Sequence, residues 1–166
     1  MTPQPGGGAG AGLNVQGLPM IKPPYGVISA VDLDKGELKW SAPHGDTPDA
    51  VRNHPALRGK TIPKTGQAGT SGVGLLVTKT MVVMGDPQIT TTPEHPRGAM
   101  LRAYDKTTGQ QVGAVFMPAP QSGSPMTYKG ADGRQYIVVA VSGGNYSGEY
   151  LAFALPSTEV RPTTQQ

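Results

Sequence analysis

Ala30-Val-Asp-Leu-Asp-Lys-Gly-Glu-Leu-Lys-Trp40 is the stretch on which the fold turns, because the chain repeats it as Ala103-Tyr-Asp-Lys-Thr-Thr-Gly-Gln-Gln-Val-Gly113. Ala30, Asp32, Gly36 and Trp40 have counterparts at Ala103, Asp105, Gly109 and Gly113, at identical offsets. Each copy reads strand, turn, strand. The aspartate can accept the turn's N–H groups through its side chain, and the glycine supplies a positive φ. Trp40 is expected to lay its indole flat against a neighbouring sheet. At Gly113 that contact is lost or supplied by another residue. A supersecondary unit that recurs at a fixed interval points to a stacked array.

Working outward, the apolar runs are short and rich in Val, Ile, Leu and Tyr, which favours strands. Gly26-Val-Ile-Ser-Ala-Val31 and Glu37-Leu-Lys-Trp40 flank the first turn. Val73–Thr78, Met81–Met84, Met100–Tyr104 and Gln111–Phe116 follow, and then Ser124–Tyr128, Gln135–Val141 and Tyr150–Leu155. Polar, proline-bearing loops are expected over 42–70 and 86–98. Loops of such length are usually functional or disordered. Residues 1–24 read as a flexible Gly/Pro-rich lead-in, 25–156 as the folded part (strands within 26–40, 73–116 and 124–155), and 157–166 as a flexible tail. No amphipathic helix of convincing length is present. The fold class is all-β.

Among 166 residues, 24 are Gly and 17 are Pro, which suits long loops between strands. The net charge of +3 comes from dispersed Lys and Arg, without the concentrated basic face of a nucleic-acid binder. No apolar run reaches the roughly 20 residues that span a bilayer. The absence of Cys excludes disulfides and thiolate ligands. His44, His54 and His95 all fall in loops, with no i, i+4 pair, so no metal site is assigned. Asp32-x-Asp34-x-Gly36 lacks the remaining ligands of a calcium loop and reads as the hairpin turn.

The Ala-x-Asp-x-x-x-Gly-x-x-x-Trp pattern resembles the tryptophan-docking motif of the PQQ-dependent (quinoprotein) dehydrogenases. PPYGVISAVDLDKGELKW, LLVTKTMVVMGD, LRAYDKTTGQ, SGSPMTYKGADGRQYIVVAVSGG and GEYLAFALP resemble, in order, successive segments near the C-terminus of that family, closest to its glucose and aldose branch. The resemblance covers about Leu18 to Pro156. It implies an eight-bladed β-propeller of four-stranded antiparallel blades, of which this chain carries about two, an incomplete ring. It also implies pyrroloquinoline quinone (PQQ) and calcium, with the calcium ligands and the aspartate base outside this chain. The substrate would be a sugar, polyol or alcohol hydroxyl, the acceptor a quinone or cytochrome, and the compartment the periplasm. Met1–Gly12 has neither the basic start nor the apolar core of a secretory signal, so a fragment is expected. It would need the remaining blades, or associate with itself through open strand edges. A non-catalytic propeller scaffold and an inactive truncated product are the alternatives.

Three loops are candidates for the site, and no catalytic residue is assigned. Gly69-Thr70-Ser71-Gly72 can bring backbone N–H groups to an anionic ligand such as the PQQ carboxylates, or it is a tight inter-blade loop. Gly143-Gly144-Asn145 stands where aldose-oxidising relatives look to have Gly-Gly-His near the substrate. Asn145 can hydrogen-bond a hydroxyl but does not titrate near neutrality, and a turn with Asn in the left-handed region explains it equally well. Gln121–Tyr128 resembles the segment before the last blade, where packing is the expected role.

Overall fold

The computed structural model describes residues 14–69 and 74–154. The elements are β1 (Asn14–Val15), β2 (Leu18–Pro19), β3 (Val27–Asp32), β4 (Glu37–Pro43), α1 (Asp49–Arg52), β5 (Leu76–Val77), β6 (Met81–Gly85), β7 (Thr90–Thr92), β8 (His95–Asp105), β9 (Gln111–Met117), β10 (Met126–Lys129), β11 (Gln135–Gly143) and β12 (Tyr146–Ala154). Among the described residues all strand pairing is antiparallel, and no sheet closes into a barrel. The β3–β4 hairpin comes first. The central blade runs β5-β6-β8-β9, with β7 as an added strand on β8, and a three-stranded sheet β10-β11-β12 follows. This is the expected partial propeller.

The central blade is apolar on both faces, as its period-2 pattern dictates. Val83, Ala99, Leu101 and Met117 pack on Val139 and Val141 of the last sheet. On the other face Val82 and Tyr104 pack on Ile28, with Trp40 and Ala42 beside them. β6 therefore sends alternate side chains into two cores.

The paired turns form as their residues require. Asp32 Oδ1 accepts from the N–H groups of Asp34 and Lys35, and Asp105 Oδ1 from those of Thr107 and Thr108. Gly36 and Gly109 adopt φ of +68° and +74°. Trp40 reaches across to the central blade, donates from Nε1 to Lys106 O at 3.0 Å, and lies so close on Gly109 that a Cβ there would collide with its ring. Nothing lies within 4 Å of the Cβ position at Gly113, which lines an apolar cleft of about 370 Å³ between the last two sheets. Gly113 itself therefore makes no docking contact of the Trp40 kind.

Two stretches expected to be irregular carry structure. Within 86–98, β7 and the start of β8 form a hairpin, Thr92 opposite His95 and Thr90 opposite Gly98. Pro93 and Pro96 suggest breaks, but an edge ladder tolerates missing donors, and Gly98 leaves room for the Phe116 ring. Within 42–70, β4 runs on to Pro43, and α1 and a 3-10 turn at Pro55–Leu57 follow. Residues 14–19 form the small β1–β2 hairpin.

Candidate functional site

Strand directions sort the connections into two groups. The docking turns and the connections after β5 and β10 lie at one end of the sheets. The described segments 44–69 and 74–75, with 86–94, 118–125 and the Gly144-Asn145 turn, lie at the other, where β4, β6, β9 and β11 end and where Gly85 pairs with Leu101 within β8. The described parts of all three candidate loops therefore belong to one end of the stack.

The 85–89 segment gathers them. Gly69 stands against Pro87, where a Cβ would come within 2.8 Å of the proline side chain. Gln88 donates from its backbone N–H to Gln67 Oε1 at 3.1 Å and from Nε2 to Ala68 O at 2.5 Å. On the other side, the end of the Ile89 side chain lies where a Cβ on Gly144 would sit, so a larger residue there would have to push it aside. Gly144 and Asn145 are the two central residues of the β11–β12 hairpin, with φ of +63° and +71°, the pattern of a type I′ turn. Gly143 has φ of +108° and Ser142 N–H donates to Pro120 O. Gly74 closes on Ser124. Thr70, Ser71 and Gly72 lie outside the described residues.

Behind these loops, on the face of the central blade toward β3–β4, sits a buried ion cluster that sequence patterns alone do not reveal. Arg102 gives Nε and Nη2 to the two oxygens of Asp86 at 2.6 and 2.8 Å, and Nη2 also meets Asp46 at 2.7 Å. The Arg102 side chain is 5% exposed and that of Asp86 0%. Burial disfavours the guanidinium's charge, but bonding to Asp86 and the charges of Asp86 and Asp46 outweigh it and raise the Arg102 pKa. His95 Nε2 meets Asp46 at 3.0 Å. Burial lowers the His95 pKa and raises that of Asp46. Their mutual bond, with the neighbouring charges, overrides both effects, so His95 sits above its ordinary value and Asp46 below. His44 bonds Tyr104 OH at 2.9 Å and Gly85 O at 3.0 Å, and desolvation lowers its pKa. One signal was available in Met100-Leu-Arg-Ala-Tyr104: an arginine inside a strand flanked by cores demands a buried acidic partner.

His54 is apart from the others, accepting from Ala56 N–H and bonded to Gln16 O. Among the described residues no group of three or more His, Cys, Asp or Glu side chains could hold a metal ion. The loop end suits PQQ better than calcium. Its free chemistry is backbone amide and glutamine, including Gln67 Nε2, buried without a partner, whereas both cluster aspartates are committed to Arg102 and His95.

Antiparallel sheets stacked face to face and locked by an indole over a glycine turn define a segment of a blade-built propeller. The chain belongs to the PQQ family described as glucose/ethanol/alcohol dehydrogenase, beta-propeller domain, which residues 4–137 match. It is 31% identical over 153 residues to a probable quinate dehydrogenase (quinone) of Xanthomonas campestris pv. juglandis, covering 87% of this chain. It is 30% identical over 155 residues to quinoprotein glucose dehydrogenase A of Acinetobacter calcoaceticus, covering 89%. It is 30% identical over 146 residues to the glycerol dehydrogenase large subunit of Gluconobacter oxydans, covering 84%. The chain spans 17 to 18% of these relatives' length. No solved structure matches it. No helix among the described residues is long and apolar enough to cross a membrane.

Proposed function

We propose that this chain supplies C-terminal blades to a PQQ-dependent dehydrogenase that oxidises a sugar, polyol or alcohol hydroxyl and passes electrons to a quinone or cytochrome in the periplasm. What carries the reading is the gathering of Gly69, Gly143 and Gly144 at one end of a blade stack, all on the 85–89 segment or its neighbours. Gly69, Thr70, Ser71 and Gly72 offer backbone N–H groups to the PQQ carboxylates. Gly143, Gly144 and Asn145 stand next to the substrate, with the Asn145 amide available to a hydroxyl. The quinone, when bound, supplies the electron-accepting chemistry, while the protein positions it and excludes competing reactions. Calcium ligands and the proton-accepting aspartate come from blades outside this chain.

The same reading sets the partner. β12 pairs only with β11 among the described residues, and Val27, Val31 and Leu38 of the first hairpin are more than half or about half exposed. Remaining blades, or a second copy joining open edges, cover such surfaces. The test assembles the chain with the other blades, adds PQQ and calcium, and measures PQQ affinity together with dye reduction by a panel of polyols, aldoses and alcohols. Saturable PQQ uptake and substrate-dependent dye reduction are expected. An assembled protein that takes up no PQQ refutes the proposal.

A further inference from the structure

His95 presents both ring nitrogens to atoms that only accept. Nδ1 lies 2.7 Å from the carbonyl oxygen of Pro96, and Nε2 lies 3.0 Å from Asp46 Oδ2. A neutral imidazole carries one N–H and one lone pair, so it satisfies only one of these contacts. The imidazolium, with two N–H groups, satisfies both. The side chain is 4% exposed, and the Phe116 ring beside it offers no acceptor, so water has little access to make good a missing proton.

His44 provides the contrast. Its Nε2 faces Gly85 O and its Nδ1 faces Tyr104 OH, which can donate, so one proton suffices and the neutral ring fits. Charge balance also favours a cation at His95. Asp46 and Asp86 bring two negative charges against the single guanidinium of Arg102. Lys64, Glu94 and Arg52 complete the charged surroundings of the pair, and none of these six groups has an ordinary pKa near neutrality.

We propose that His95 is a pH-sensitive clasp at the loop end: as the imidazolium it holds the start of β8 and the 44–52 stretch together through its two N–H groups, and loss of either proton frees one of them. A neutral ring turns its lone pair toward a carbonyl or a carboxylate, and the side so faced moves away. The clasp closes the joint between α1 and the β7–β8 hairpin, where Asp49 also accepts from Thr91 N–H and Arg52 donates to Thr91 O. Those bonds keep the opening local. Acid closes the clasp, and pH rising through the folded His95 value, which lies above the ordinary one, opens it.

The experiment uses the full-length protein, assembled from all its blades, and reads hydrogen exchange, corrected for its intrinsic pH dependence, from about pH 5 to about pH 9. In wild type, peptides spanning 44–52 and 90–98 are expected to exchange about tenfold faster at the upper end, the effect of one lost charge-assisted bond. Peptides spanning 135–143 should show no such step. His95→Gln, which carries no titrating proton, should exchange fast throughout the range. Asp46→Asn removes the carboxylate that holds the second proton, so its step should fall at lower pH. The absence of a step in wild type, a step that persists in His95→Gln, or one that keeps its midpoint in Asp46→Asn overturns the inference. The readout needs no PQQ, so its failure and that of the proposed function are separate results.

Discussion

Gly36 and Gly109 offer a matched pair of perturbations. Both sit at the same place in the same turn, with φ of +68° and +74°. Alanine in the left-handed region costs about 1–2 kcal/mol at either position. At Gly36 nothing lies within 4 Å of the new Cβ, so strain is the whole effect. At Gly109 the Cβ would strike the Trp40 ring, and the atom it meets belongs to the rigid indole rather than to the end of a flexible chain. Trp40 must swing away, losing its bond to Lys106 O, about 1 kcal/mol, and part of its packing, about another 1–2 kcal/mol. Gly109→Ala should therefore destabilise by about 2–3 kcal/mol more than Gly36→Ala. Urea unfolding followed by circular dichroism gives the energies. The emission of Trp40, the chain's one tryptophan, should shift to the red in Gly109→Ala alone. Equal losses in the two variants, with unchanged emission, would refute the docking argument.

Replacing Arg102 with Met leaves Asp86 and Asp46 without their cation and should cost about 3–5 kcal/mol; a urea midpoint close to wild type at unchanged slope would contradict it. His95 and Asp46 give a pH signature. The raised His95 pKa contributes stability in full below 6.5 that is lost as pH rises through the folded value, and the lowered Asp46 pKa contributes stability in full above 3.8 that is lost as pH falls through its folded value. The cost of His95→Asn, read as a melting difference against pH, should peak between those two ordinary values. His44, whose pKa is lowered, acts oppositely on the acid side, so the variant is compared with wild type at each pH rather than read alone. A cost that does not vary with pH counts against the pair.

The sequence was informative where structure is local. The docking turns followed from Asp and Gly at set offsets, and the strands from β-branched runs bounded by turn residues. Length was less legible. β8 extends from His95, past Pro96, because β7 and β9 supply ladders that no property of 95–99 announces. The 42–70 segment is held to the central blade by single long-range pairs such as Asp46–His95 and Gln67–Gln88, and a pair of polar residues separated by dozens of positions leaves no periodic trace. Asn145 was legible both as a substrate contact and as a turn residue. The left-handed φ accounts for the residue type as a turn and leaves the amide free to serve the proposed substrate role.

The two ends of the strands have separate duties. Indole, aspartate and glycine, the parts that lock one blade to the next, sit on one rim, while the segments that vary in length and would meet a ligand sit on the other. The β7 hairpin lengthens the second rim without touching the lock on the first. A change on one rim therefore leaves the residues that hold neighbouring sheets together untouched.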